Sequence, residues 1–281
     1  MKRNAALFEQ LPHITRAREF RLYAANGKRY VDLWQAGGAA LLGHTPPHVV
    51  RELKNTAERG LFAPLPNHLE ARLLKALAKL LPGYSFYLYV GDDALYRALN
   101  AYGFNAHDER PRLFDPAFDD ETENQREPTR WGLAALWRPF LPADMSAYPL
   151  LVPVAPWHLA PKMLAVRNGA FPAGRPPASD VIPPVILAAT TRAIYDLLAE
   201  IERGGRGAPH VPVVTKALAA SGWRQKGIYL RPCADKGGYD ALFRRFLEGG
   251  FVLPPDPEQP AILPAVLSAG EEAKLAALIR E

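Results

Sequence analysis

Between residues 47 and 102 the apolar residues change period in a fixed order, and that order is the strongest constraint the sequence places on its fold. In HTPPHVVRELKNTAERG, Val49, Leu53 and Ala57 step by four, so they line one helical stripe that proline introduces and Gly60 stops. In LEARLLKALAKLLPGY, Leu69, Leu73, Leu77 and Leu80 mark a second buried stripe, opened by Asn67 with Glu70 in a capping-box pattern and closed by Pro82-Gly83. SFYLYV then reads as a buried strand, and Asp92-Asp93 open a helix over ALYRALNAYGF. Helices and strands that alternate in this way belong to α/β domains, where helices cover a sheet.

The flanks read differently. FRLYAANGKRYVDLW, residues 20–34, alternates around Asn26-Gly27, a dipeptide suited to a tight hairpin turn. DDETENQREPTR, residues 119–130, is polar throughout and is expected to be an exposed or disordered loop. PLLVPVAP and KMLAVRNG are short enough to be buried strands, and ASDVIPPVILAATTRAIYDLLAEIERGG is a long helix. Its stripe is Leu187, Thr191, Ile194, Leu198 and Ile201, and Gly204-Gly205 terminate it. RGGRGAPH reads as a linker. After it come strand GIYLRP, helix YDALFRRFLEGG, strands FVLPP and AILPAV, and a last helix capped by Ser268 and Glu271. No repeat at solenoid or propeller spacing is present.

A chain of 281 residues can bury a large core as one big domain or two unequal ones. Its 28 prolines are about twice the usual share of roughly 5%, so many segments must be extended or turning. The excess of 34 Lys+Arg over 29 Asp+Glu is small and scattered, which argues against nucleic acid as a partner. A single cysteine, Cys233, excludes an internal disulfide framework and fits a reducing compartment, with a small buried hydrophobe as its simplest role. The first twenty residues carry charges throughout and lack an apolar signal core, so a cytoplasmic location is expected. The longest uncharged run, Met145 to Pro161, holds four prolines and is too short to span a bilayer.

Three stretches carry a family resemblance. NGKRYVDLWQAGGAALLGHTPPHVVREL contains Gly43, His44, Pro47 and Val49 in an LGH-HP-V pattern. FYLYVGDDALYRAL resembles a strand and turn written S-G-S/T-E-A, here Val90, Gly91, Asp92, Asp93 and Ala94. GIYLRP, FLEGGFVLPPD and AILPAVLSAGEEAKLAAL follow in the order of a closing subdomain. Together they resemble the class III aminotransferases, pyridoxal-phosphate enzymes of fold type I. The resemblance implies a reduced large α/β domain over 56–204 and a small α+β domain built from 1–55 and 205–281. It also implies pairing around GGAALLGH, as a homodimer or with a full-length relative.

That chemistry needs a lysine for the Schiff base, an acid against the pyridine nitrogen, donors for the phosphate and an aromatic on the ring. In APKMLAVRNGAFPAG the family's lysine position falls at Arg167 or in a gap, and arginine keeps its proton at any working pH. Lys162 lies five residues earlier, about 16 Å away along a strand. The strand expected to end in the pyridine partner, LLVPVAP, offers Pro153, Val154 and Ala155, and Asp144 fits only after a shift of about ten residues. Asp92 stands where the family has a small hydroxyl residue and Asp93 where it has glutamate, so Asp92 is expected to cap the helix in place of a phosphate. Phe118 falls near the family's ring-stacking aromatic, or else in the core. The resemblance thus implies a vestigial cofactor site of Gly91, Asp92, Asp93, Phe118 and Arg167, no catalytic lysine and no cofactor. The alternative is an active pyridoxal-phosphate aminotransferase that uses Lys162.

Other chemistries find little purchase. Among seven histidines none forms an H-x-x-x-H helix pair, and His44 and His48 are separated by Pro46-Pro47. Ser221-Gly222 lacks a G-x-S-x-G context, and GGRG and KGGY do not follow strands as phosphate loops do. No metal site is expected.

Overall fold

Asn26 and Gly27 turn the first hairpin, with Gly27 at φ +79° and the Asn26 Oδ1 accepting the Lys28 N–H at 3.0 Å. The hairpin joins β2, Arg21–Ala24, to β3, Arg29–Asp32, and β1, Ile14–Arg18, adds to its edge. The computed structural model describes residues 5–102, 113–119, 134–146, 148–171, 178–204, 211–232 and 236–281. These divide into two compact units, one of Met1–Pro46, Phe140–Pro142 and Glu200–Glu281, the other of Pro47–Pro139 and Ala143–Ala199.

The first unit carries two small sheets. A parallel strand, β10 at Phe251–Val252, extends the hairpin sheet beside β3. The second sheet orders β11, Ala261–Ile262, then β9, Tyr229–Arg231, then β8, Arg224–Lys226. Four helices belong to this unit: α1, Ala5–Phe8; α6, Pro212–Ala219; α7, Lys236–Glu248; and α8, Ala269–Arg280. At the start of α8 the Ser268 hydroxyl accepts the Glu271 N–H and the Glu271 carboxylate accepts the Ser268 N–H, the reciprocal cap the sequence predicts.

The second unit holds the larger sheet. Its strands are β4, Tyr84–Tyr89; β5, Ala134–Trp137; β6, Leu150–Pro153; and β7, Lys162–Arg167, in the order β4-β7-β6-β5. The helices α2, Pro47–Glu58; α3, Leu69–Leu80; α4, Asp92–Ala101; and α5, beginning at Pro184 and running to Glu202, pack with it. On one face Phe86, Leu88, Met163 and Ala165 meet Leu69, Leu73 and Leu77 of α3 and Leu187 and Ile194 of α5. On the other, Tyr89, Leu164 and Val166 meet Leu95, Ala98 and Leu99 of α4. Both faces are covered, which is why the buried centres of β4, β6 and β7 are apolar on both faces instead of alternating.

Several expectations need correction. Asp119 is buried, because its Oδ2 accepts the Asp115 N–H at 2.8 Å in a tight turn, while residues 120–130 lie outside those described. Ile201 is 40% exposed, since the buried length of α5 runs from Pro184 to Leu197. Helix α6 follows the expected linker directly, started by Pro212 and seated by Val214, Ala217 and Leu218. Residues 205–210 and Cys233 are outside the described set. Among the described residues no helix is long and apolar enough to cross a membrane.

Candidate functional site

The strand directions decide which residues share an end of the larger sheet. β7 is antiparallel to both β4 and β6, and β5 is parallel to β6, so β4, β5 and β6 all run one way. Phe114 adds a parallel bridge to Ala135 beyond β5. In open sheets of this kind ligands bind outside the carboxyl ends of the strands. That end gathers the turn after Tyr89, the residues after Trp137, Pro153 and Phe114, and the first residue of β7, Lys162.

The turn after β4 is held from one side. Leu88 donates its N–H to Ser179 Oγ at 3.0 Å, Asp180 donates its N–H to the Leu88 carbonyl at 2.8 Å, and Val90 donates to Asp180 Oδ2 at 2.9 Å. Gly91 follows in extended backbone, φ −148°, and is the N-cap of α4. Asp92 is therefore the first helical residue instead of the cap, which corrects the expectation that it caps the helix. Its carboxylate meets the Lys162 ammonium at 2.9 Å. Asp93 sits beside it in the exposed first turn. Beneath them, burial pushes the Tyr89 hydroxyl well above its ordinary range, and burial with Tyr87 nearby raises Tyr102 to about 12.

Lys162 reaches this turn because the register pairs it with Tyr89. Because β7 runs antiparallel to β4, the residues farthest from Arg167 along the strand are the ones nearest the turn after β4. Arg167 pairs with Tyr84 at the far end of the sheet, about 16 Å from Lys162 along the strand. There its Nη2 donates to the Tyr148 carbonyl at 2.9 Å, and its guanidinium lies 5.9 Å from the Tyr84 ring centroid. The structure does not bring Arg167 to Gly91, Asp92 and Asp93. Asp144 lies in an exposed turn, where hydrogen bonds from Ser146 hold its carboxyl below the usual range.

At the other side of the same end is a charged pair that sequence reasoning missed. Arg138, one residue past β5, donates Nε to Asp115 Oδ1 at 2.7 Å and Nη2 to Oδ2 at 2.6 Å. Both side chains are buried, at 4% and 9% exposure, and Asp115 Oδ1 also accepts the Ala117 N–H. The available signal is a charge at each flank of an apolar strand, LFD and ALWR, where β-pairing can align them. Phe118, half-buried, donates its N–H to the Asp115 carbonyl at 2.9 Å. Counting across β7, β6 and β5, its segment is four strand spacings from β4, about 19 Å, so Phe118 and Gly91 lie at opposite margins of this end.

The two histidines of the LGH-HP-V segment end on separate carboxylates, His44 Nε2 at 2.8 Å from Asp32 and His48 Nδ1 at 3.1 Å from Asp196. Among the described residues no group of three or more His, Cys, Asp or Glu could hold a metal ion.

Known structures share this fold over most of its length. An ornithine aminotransferase from Plasmodium yoelii superposes with a TM-score of 0.66 over 95% of this chain and 92% of its own, at 13% identity. The fold is that of the class III aminotransferases. No family model matches the sequence. An uncharacterized protein of Treponema pallidum is 27% identical over 309 aligned positions, covering 93% of this chain and 92% of that relative. A glutamate-1-semialdehyde 2,1-aminomutase from Thermoplasma acidophilum is 37% identical over 67 residues, 24% of this chain and 16% of the enzyme.

Proposed function

We propose that this chain keeps the aminotransferase fold without transaminase chemistry and serves as a dimeric ligand-binding or interaction subunit, assembled with itself or with a full-length relative. The observation that carries the reading is the ion pair of Lys162 with Asp92 at the turn after β4. Pyridoxal phosphate, the cofactor this fold implies, needs an anion cradle, a free amine and an acid facing its pyridine nitrogen. The donor set fits it poorly. Among the described residues Asp92, Asp93 and Asp180 bring three carboxylates to the turn against the ammonium of Lys162, and a helix N-terminus so furnished disfavours a phosphate. β6 ends in Pro153 and Val154, which offer no acid, and both oxygens of Asp115 are taken by Arg138. Lys162 spends its charge on Asp92, and an ammonium held as an ion pair is a poor nucleophile.

One observation favours a second reading: β7 delivers a lysine to the same turn, which an active enzyme working through Lys162 would require. Titration of the purified protein with pyridoxal phosphate separates the two. The first reading expects no borohydride-reducible, protein-bound absorbance at the visible edge in either the wild type or Lys162→Ala. A borohydride-reducible band that vanishes in Lys162→Ala establishes the second. For the assembly, sedimentation at twice the 31.0 kDa chain mass is expected, and a purely monomeric species at micromolar concentration contradicts the subunit role.

A further inference from the structure

The turn after β4 gathers four charges on the described residues, and their balance is negative: Asp92, Asp93 and Asp180 against Lys162. Among the described residues a Cβ at the Gly91 N-cap would meet nothing within 4 Å, so the glycine itself is not crowded there. Asp180 is engaged with the Val90 N–H and Asp93 faces solvent, and among the described residues it is Asp92 that meets the lysine.

Building on the non-catalytic reading above, we infer that Asp92 is the specificity-determining residue of this turn: it rejects anionic ligands and holds Lys162 as its own counter-ion. The pair is 42–45% exposed, so a small reagent reaches the amine from solvent. Removing the Asp92 charge has two separable effects. It frees the amine for any aldehyde, charged or neutral, and it lifts the repulsion felt only by an anion. A carboxylate about 4 Å from a phosphate in a water-like dielectric changes occupancy about fivefold per phosphate charge, so roughly tenfold for a group carrying between one and two charges.

The test compares two aldehydes on the full chain. Wild type, Asp92→Asn and Asp92→Ser are treated with pyridoxal 5′-phosphate or with neutral pyridoxal, reduced with borohydride, and mapped by peptide mass spectrometry for the secondary amine at Lys162. Far-UV circular dichroism checks that the variants fold. Labelling of Lys162 by the phosphorylated aldehyde is expected to rise roughly tenfold more than labelling by pyridoxal when Asp92 is neutralised. Equal gains with both aldehydes, or no gain with either, overturn the inference and leave the non-catalytic reading standing. Preferential labelling of Lys162 in the wild type by the phosphorylated aldehyde overturns that reading instead.

Discussion

The Lys162 ammonium and the Asp92 carboxylate meet at 2.9 Å because Tyr89, three residues before Asp92, is the β4 partner of Lys162. Each side chain keeps over two fifths of its surface in water, so the contact contributes little to folding. Lys162→Ala is expected to cost under about 1 kcal/mol in urea denaturation. A loss of several kcal/mol would mean that the pair is a structural element of the fold instead of a surface charge device.

The Asp115–Arg138 pair should behave in the opposite way. Both groups are buried and joined by two hydrogen bonds. Arg138→Leu strands a buried carboxylate, with an expected cost of about 3–5 kcal/mol, whereas the double change Asp115→Leu, Arg138→Leu removes both charges and should recover much of that loss. Urea unfolding of the wild type, both single variants and the double variant measures the coupling. If the single and double variants lose the same stability, the buried carboxylate is not what the arginine neutralises.

Acid should weaken the first unit through Glu271. Burial alone would raise its carboxyl, but hydrogen bonds from Arg21 and Ser268 outweigh that and leave it below its ordinary 4.5. Arg21 Nη2 reaches it at 2.7 Å. A carboxyl with a depressed folded-state value contributes stability that is fully present above the unfolded value and is lost as pH falls through the folded one. The expected result is a stability that is flat on the neutral side and declines below about 4.5, with the decline shallower in Glu271→Gln. Denaturant midpoints taken across that range read it directly; an unchanged slope in the variant contradicts the assignment.

Two glycines separate crowding from backbone strain. A Cβ at Gly227 would lie 2.7 Å from the Phe140 carbonyl oxygen at φ +59°, whereas one at Gly27, φ +79°, meets nothing within 4 Å. Gly27→Ala should cost about 1 kcal/mol, the left-handed penalty alone. Gly227→Ala should cost more, by about 1–3 kcal/mol, because backbone has to move. Thermal melts compare the two, and equal shifts would show that the Phe140 segment yields freely.

The hairpin, α2 to α4 and the Ser268 cap were legible because each is written in contiguous residues: a turn dipeptide, a stripe, a capping box. The direction of β7 was not, since nothing in KMLAVR says whether it runs with β4 or against it, and that one unknown sets Lys162 beside the turn after β4 and Arg167 at the far end of the sheet. The pairing of Arg138 with Asp115 was equally hidden, because 23 residues separate them in sequence and pairing of Phe114 with β5 brings them together. Asp119 misled for a local reason: it begins a polar run, yet its carboxylate closes the buried turn before that run.

A crystal structure of the protein grown in excess pyridoxal phosphate bears most directly on whether the turn after β4 has left cofactor chemistry behind. The expected result is Lys162 still paired with Asp92 and no phosphate at Gly91 and the start of α4. Continuous density from the Lys162 amine to a pyridoxal ring, with its phosphate seated at Gly91, would contradict it.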